Sequence, residues 1–187
     1  MLSSFEQISM KRFNALWGGI IFLLFLIILS SFSSKKLFIY NYTNSLPHGI
    51  YMFYPGLISK GDLIAFKPIG SIKNLIHERK YLRYDAYLMK YIVGVTGDSV
   101  CTKNGFFYVD GTNYGVIRLT DNEGKQLPRY YFCGRLKEGY IVTGKNGKGD
   151  SFDSRYYGPI KKENIVGKIV PVWLFGKEKV QLGKAGK

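Results

Sequence analysis

Lys90 stands out chemically because it interrupts an otherwise apolar run, Tyr87-Leu88-Met89-Lys90-Tyr91-Ile92-Val93. On a strand, Leu88, Lys90 and Ile92 share one face while Met89, Tyr91 and Val93 share the other. Two readings of such a lysine are open. Its aliphatic stem can lie along apolar neighbours while the ammonium reaches water. Alternatively, desolvation lowers its pKa and leaves a usable fraction of neutral amine. An unperturbed lysine is neutral in only about 0.04% of molecules at pH 7, and a fall of about three pH units raises that fraction roughly a thousandfold. Only the neutral amine can accept a proton from a serine hydroxyl. A Ser-Lys pair therefore needs a dry, apolar strand around the lysine, and this window supplies one.

Other constellations carry less. Ser45 and His48 could form a Ser-His pair, but the base must reach the hydroxyl and be oriented by a carboxylate. A histidine three residues on, beyond Pro47, reads more simply as an exposed loop residue. The stretch Gly139-Tyr140-Ile141-Val142-Thr143-Gly144-Lys145 resembles a phosphate-binding loop, yet Asn146 follows where Ser or Thr would hold magnesium. Asn41-Tyr42-Thr43 fits a glycosylation acceptor, a pattern too short to weigh much. Cys101 and Cys133 are the only cysteines. Two thiols and two histidines make no recognisable metal site, and no cofactor is indicated. The cysteines read either as a disulfide outside the cytoplasm or as buried thiols.

The elements that must position these groups are short. Apolar runs at Leu37–Tyr42, Gly49–Phe53, Asp62–Lys67, Tyr87–Val95, Phe106–Val109, Tyr140–Val142 and Ile165–Val172 are separated by Gly-Asp, Asn-Gly and Asp-Gly turns. The spacing predicts a mainly β fold with a curled or barrel-like sheet. Asp110-Gly111 marks a hairpin turn. Segment 71–86 is richer in charge and could hold a short helix. Fifteen Tyr and thirteen Phe in 187 residues suit pleated surfaces.

From Phe13 to Ser34 run 22 consecutive uncharged residues, long enough for a membrane-spanning helix. Trp17 near its start suits the headgroup region. Residues 1–12 then form a short N-terminal segment, 13–34 an anchor and 35–187 a β-rich domain. The competing reading is a cleaved signal peptide, since Ser31-Phe32-Ser33 offers small residues. Lys11-Arg12 and Lys35-Lys36 flank the two ends, so charge alone does not set the orientation. The formal charge of +14 is scattered and lysine-rich, without a zinc pattern or arginine helix. It suits an anionic membrane surface better than nucleic acid, which is not expected as a partner.

Four segments, in order, resemble the signal peptidase I family of Ser-Lys serine peptidases, and more closely its TraF-type conjugative-transfer branch. Residues 41–51, Asn-Tyr-Thr-Asn-Ser-Leu-Pro-His-Gly-Ile-Tyr, resemble the nucleophile box. Lys60-Gly61-Asp62-Leu63-Ile64-Ala65-Phe66 resembles the strand that follows it. Residues 88–98 resemble the general-base box, and 149–160 the closing box. The resemblance implies Ser45 as nucleophile and Lys90 as base. It implies that the hydroxyl of Thr43 helps the Ser45 backbone N–H hold the oxyanion, and that Ser151 orients the amine. Asp153 and Arg155 match a supporting ion pair. Leu46, Leu88 and Met89 are candidate walls of substrate pockets. The short Leu46-Pro47 step, Tyr91 where Arg is common and Thr96 where Pro is common depart from general leader peptidases. The first of these favours the conjugative branch.

The same resemblance implies a fold of coiled antiparallel sheets with one N-terminal transmembrane helix, entering from the cytoplasm of a bacterium. The catalytic domain then lies in the periplasm beside the inner membrane, where a Cys101–Cys133 disulfide is permitted. The implied activity is processing of exported preproteins, in particular a pilin precursor, by hydrolysis or with cyclisation. Components of a conjugative or type IV secretion apparatus are the implied partners. A preprotein is expected to add as a strand along the one carrying Lys90. Alternatives at this stage are a general leader peptidase and a non-catalytic membrane-anchored scaffold.

Overall fold

Aromatic and β-branched residues between tight turns give this chain ten strands among the described residues, with two short helices in the same domain. The computed structural model describes residues 16–29, 37–83, 85–144 and 151–175. It divides into two units, Met1–Leu37 and Phe38–Lys187.

In the first unit, residues 16–29 are helical (α1). Fourteen residues rise about 21 Å, short of the roughly 30 Å hydrocarbon core of a bilayer. Among the described residues, no helix is long and apolar enough to cross a membrane. The expected 13–34 span extends at both ends beyond the described residues, and the 1–12 segment lies wholly outside them.

The second unit is built from β1 (Phe38–Asn41), β2 (Gly49–Tyr54), β3 (Leu63–Phe66), α2 (Gly70–Glu78), β4 (Leu88–Val95), β5 (Ser99–Lys103), β6 (Phe106–Val109), β7 (Thr112–Val116), β8 (Cys133–Arg135), β9 (Tyr140–Thr143), α3 (Ser154–Tyr157) and β10 (Ile165–Leu174). A six-stranded sheet runs β1-β2-β10-β3-β4-β9, and a four-stranded sheet runs β7-β6-β5-β8. All pairings between these strands are antiparallel. The expected mainly β architecture is what the chain forms. Strands β5, β7 and β8 are additions, and α2 occupies part of the 71–86 segment.

Turn chemistry sets the register of the smaller sheet. Asn104-Gly105 and Asp110-Gly111 all have positive φ, between 47° and 77°, and close two-residue hairpins at Lys103↔Phe106 and Val109↔Thr112. Cys101 and Cys133 face each other across β5 and β8 and are disulfide-bonded. Pro171 lies inside β10, where a proline would cost a ladder bond. The pairing with β3 ends at Lys168, so Pro171 sits where β10 has only β2 beside it.

Three buried clusters hold the domain together. One joins the sheets through Val93, Val100, Phe107, Val109, Ile141 and Tyr156. A second gathers Ile64, Phe66, Ile76, Leu88, Ile92 and Val142. The third gathers Leu46, Tyr51, Leu63, Ala65, Met89 and Ile169. The alternation expected along β4 holds for Leu88 and Ile92 on one face and Met89 and Tyr91 on the other. A register shift between Ile92 and Gly94 sends Val93 to the cluster between the sheets.

Candidate active site

Ser45 rides on the loop between β1 and β2, and Lys90 is the third residue of β4, the strand next to the β9 edge of the six-stranded sheet. Their neighbours in the chain bring them together. Leu46, next to Ser45, and Met89, next to Lys90, belong to the same buried cluster. Burying that pair of apolar side chains holds the loop against β4. Lys90 Nζ then donates a hydrogen bond to Ser45 Oγ at 2.7 Å.

Lys90 is only 3% exposed. Leu88 and Ile92 flank it on its own face, and Ile64 sits opposite it on β3. Desolvation is the main cause that lowers its pKa to about 8, with Asp153 opposing the fall and Arg155 adding to it. At pH 7 about one amine in ten is then neutral. In that state the same contact reverses, the serine hydroxyl donating to the amine.

The Ser45 loop is organised by a side chain that sequence reasoning passed over. Asn41, 1% exposed, donates through Nδ2 to the carbonyls of Thr43, Leu46 and Pro47, each at 3.0 Å. Its Oδ1 accepts from the Thr43 N–H at 3.1 Å and from the Thr43 hydroxyl at 2.8 Å. In the sequence Asn41 opens the segment resembling the nucleophile box and fits a glycosylation pattern, and neither gave it a role of its own. A three-residue motif carries no information about burial, and this amide is fully committed inside the fold. Thr43 Oγ1 also lies 3.4 Å from Ser45 Oγ. Donation from Thr43 to an oxyanion therefore requires its hydroxyl to turn away from Asn41.

His48 is exposed, and its Nε2 pairs with Asn44 Oδ1 at 3.1 Å. The Ser-His alternative thus lacks its central contact.

Behind the pair, the closing segment forms a buried polar support. Arg155 Nε donates to Asp153 Oδ1 at 2.8 Å and Nη2 to Oδ2 at 2.9 Å, with exposures of 2% and 0%. Asp153 also accepts from the Gly144 N–H, and Arg155 reaches the Ser151 carbonyl at 3.0 Å. The pair thereby ties the end of β9 to the segment carrying Ser151. Gly144 is where these parts meet. A Cβ there would come within 2.7 Å of the Ser151 side chain and 3.3 Å of the Ser45 carbonyl oxygen. The phosphate-loop-like stretch is thus mostly strand β9, and its glycine serves close packing; Lys145 lies outside the described residues.

Two of the expected site roles meet a particular local geometry. Ser151 lines the same cavity as Ser45 and Lys90, but its buried hydroxyl has no hydrogen-bond partner among the described residues, Lys90 included. The amine is instead directed at Ser45. Of the three candidate pocket walls, Leu88 lines the cavity beside the pair, whereas Leu46 and Met89 lie in the core. Alternation along β4 explains the division for Leu88 and Met89.

That cavity measures about 360 Å³. Besides Thr43, Ser45 and Lys90, it is lined by Ile76 of α2, by Arg79 just after that helix, and by Asp121 and Leu127 of the 118–127 loop. Arg79 Nη1 reaches Asp121 at 3.1 Å and Tyr81 also donates to that carboxylate, fastening the loop to α2. Among the described residues, β9 pairs as far as Thr143, opposite Tyr91, and Leu88, Met89 and Lys90 are paired with β3.

Residues 10–174 match the family described as signal peptidase, peptidase S26. The chain belongs to this signal peptidase family. It is therefore a serine peptidase of the signal peptidase type. A plasmid transfer protein TraF from Escherichia coli is 28% identical over 146 residues, covering 71% of this chain and 80% of that protein. A signal peptidase I from Aquifex aeolicus is 30% identical over 137 residues, covering 67% of this chain and 52% of that enzyme. This signal peptidase chain thus spans about half the length of that relative. A signal peptidase I of known structure, from Enterococcus faecalis, is 21% identical; the match covers 60% of this chain and 97% of that one, with a TM-score of 0.34.

Proposed function

We propose that this signal peptidase is membrane-bound and uses Ser45 as nucleophile and Lys90 as general base to cleave exported precursors. The observation that carries the reading is the 2.7 Å contact between Ser45 Oγ and a lysine amine that burial has made a weaker base. Lys90 removes the hydroxyl proton as Ser45 Oγ bonds to the scissile carbonyl carbon. The carbonyl oxygen becomes an oxyanion, held by the Ser45 backbone N–H and by the Thr43 hydroxyl once it turns from Asn41. Collapse breaks the C–N bond, and the ammonium of Lys90 returns the proton to the leaving amine. Water, activated by the same amine, then hydrolyses the acyl-enzyme. Attack by an amine of the substrate itself would release a cyclised product instead.

The substrate in this reading is the pilin precursor of a conjugative transfer apparatus. Similarity to the plasmid transfer protein and the short Leu46-Pro47 step support that choice. The precursor adds in extended form along the first half of β4, where no strand pairs on the β9 side among the described residues. Its side chains enter the cavity at Leu88. The anchor at 13–34 would hold the domain on the periplasmic face of a bacterial inner membrane, its basic surface toward anionic lipid.

Incubating propilin with wild type, Ser45→Ala and Lys90→Ala tests this directly. Wild type is expected to release the mature product. Each variant is expected to be slower by at least roughly a thousandfold, since nucleophile and base act as one unit. Cleavage at the wild-type rate by either variant would overturn the assignment.

A further inference from the structure

A loop that presents a nucleophile must be held still, and the 42–48 loop has little regular structure to do this. Asn41 is the last residue of β1 and pairs with Gly49, the first of β2, so its side chain sits at the neck of that loop. Its carboxamide makes five contacts with the loop, using both ends of the amide. The three carbonyl contacts span both sides of Ser45, at Thr43 before it and at Leu46 and Pro47 after it. The Oδ1 contacts fix the backbone and hydroxyl of Thr43, which in turn approaches Ser45 Oγ. A second tie comes from Tyr51, whose hydroxyl donates to the Pro47 carbonyl at 2.7 Å.

We propose that Asn41 is a positioning residue of the peptidase reaction, its buried carboxamide fixing the 42–48 loop so that Ser45 meets Lys90 with the Thr43 hydroxyl alongside. The inference rests on Ser45 being the nucleophile. It also explains why an amide is needed. An aliphatic side chain would take the amide donor from the carbonyls of Thr43, Leu46 and Pro47, of which Pro47 keeps the Tyr51 hydroxyl, and would take the acceptor from the Thr43 N–H and hydroxyl. A carboxylate would keep the Thr43 contacts but turn a second oxygen toward three carbonyls.

Asn41→Asp and Asn41→Ala separate positioning from folding. The measurements are kcat and KM for propilin cleavage by the full chain in detergent, corrected for the folded fraction from the thermal melt. Misplacement of a reacting atom by about 1 Å can cost on the order of a hundredfold in rate. Folded Asn41→Asp is expected to lose about tenfold to a hundredfold in kcat, and Asn41→Ala at least as much, with KM changed less than about threefold. The pH at which the rate is half-maximal should stay within about half a unit for Asn41→Ala, because Lys90 keeps its burial. In a Thr43→Val background, Asn41→Ala should cost less than alone, since one of its targets is already gone. Either folded variant with wild-type kcat would overturn the proposal, as would failure of both variants to fold, which would make Asn41 a folding residue. Ser45→Ala is run beside them. Full activity there defeats the nucleophile assignment, whereas an inert Ser45→Ala with fully active Asn41 variants defeats only the role of Asn41.

Discussion

Lys90→Met is expected to abolish peptide cleavage and at the same time to stabilise the fold. The rate should fall by at least roughly a thousandfold, because methionine cannot accept the Ser45 proton. Stability should move the other way. Lys90 has a folded pKa of about 8 against an ordinary 10.5, so between those values the unfolded chain binds a proton that the folded chain does not. The penalty for burying the ammonium is fully present below pH 8, shrinks as pH rises from 8 to 10.5, and is gone above that. It amounts to about 3 kcal/mol as an upper bound, from which the lost hydrogen bond to Ser45 must be subtracted. A gain of about 1–2 kcal/mol at pH 7, fading by pH 10.5, is the expected outcome of urea denaturation at the two pH values. A destabilised Lys90→Met at pH 7 would mean that the lysine is there for the fold. Methionine has similar length and no charge, so cavity formation does not confuse the result.

The second large effect concerns Asp153. Removing its carboxylate takes away both ion-pair contacts of Arg155, whose guanidinium stays only 2% exposed. Breaking a buried ion pair from one side costs about 3–5 kcal/mol, because the carboxylate that offsets a buried charge is gone. Asp153→Ala also removes the acceptor for the Gly144 N–H and the cap of α3. Denaturant unfolding is the measurement, and a change below about 1 kcal/mol would contradict this reading. The effect on catalysis is indirect. Asp153 supports the charged form of Lys90 while Arg155 opposes it, so the folded fraction of Asp153→Ala should show its activity profile displaced to lower pH. Replacing both partners by apolar residues should cost less than replacing Asp153 alone.

Much of this was readable from sequence, for reasons that differ by residue. One charge in an apolar run marks β4 and Lys90, because period-two alternation forces the lysine onto a face shared with Leu88 and Ile92. Asp110-Gly111, directly after the apolar run Phe106–Val109, marks one hairpin of the small sheet. β8 was not readable. Cys133-Gly134-Arg135 is exposed throughout, and its strand form comes from pairing with β5 and from the disulfide. β5 and β7 escaped notice because they mix polar and apolar residues without a clear buried face.

The site divides in the same way. Ser45 carried no signal of its own, and only the ordered segments gave it a role. The part played by Leu46 and Met89 depends on two distant apolar residues meeting in one cluster, which no local pattern encodes. Asn41 lay in the nucleophile segment without a role of its own, and Gly144 lay in a motif that pointed elsewhere. Their signals are burial and crowding, properties of the folded chain.

The pH dependence of kcat/KM for propilin cleavage tests the central claim most directly, because it reports the titrating base of the free enzyme. A neutral lysine acting as base predicts a rate that rises about tenfold per pH unit below pH 8, bends at about 8 and levels above it. The same bend is expected in His48→Ala. A bend near the ordinary histidine range of about 6.5 that disappears in His48→Ala would contradict the Ser45–Lys90 pair.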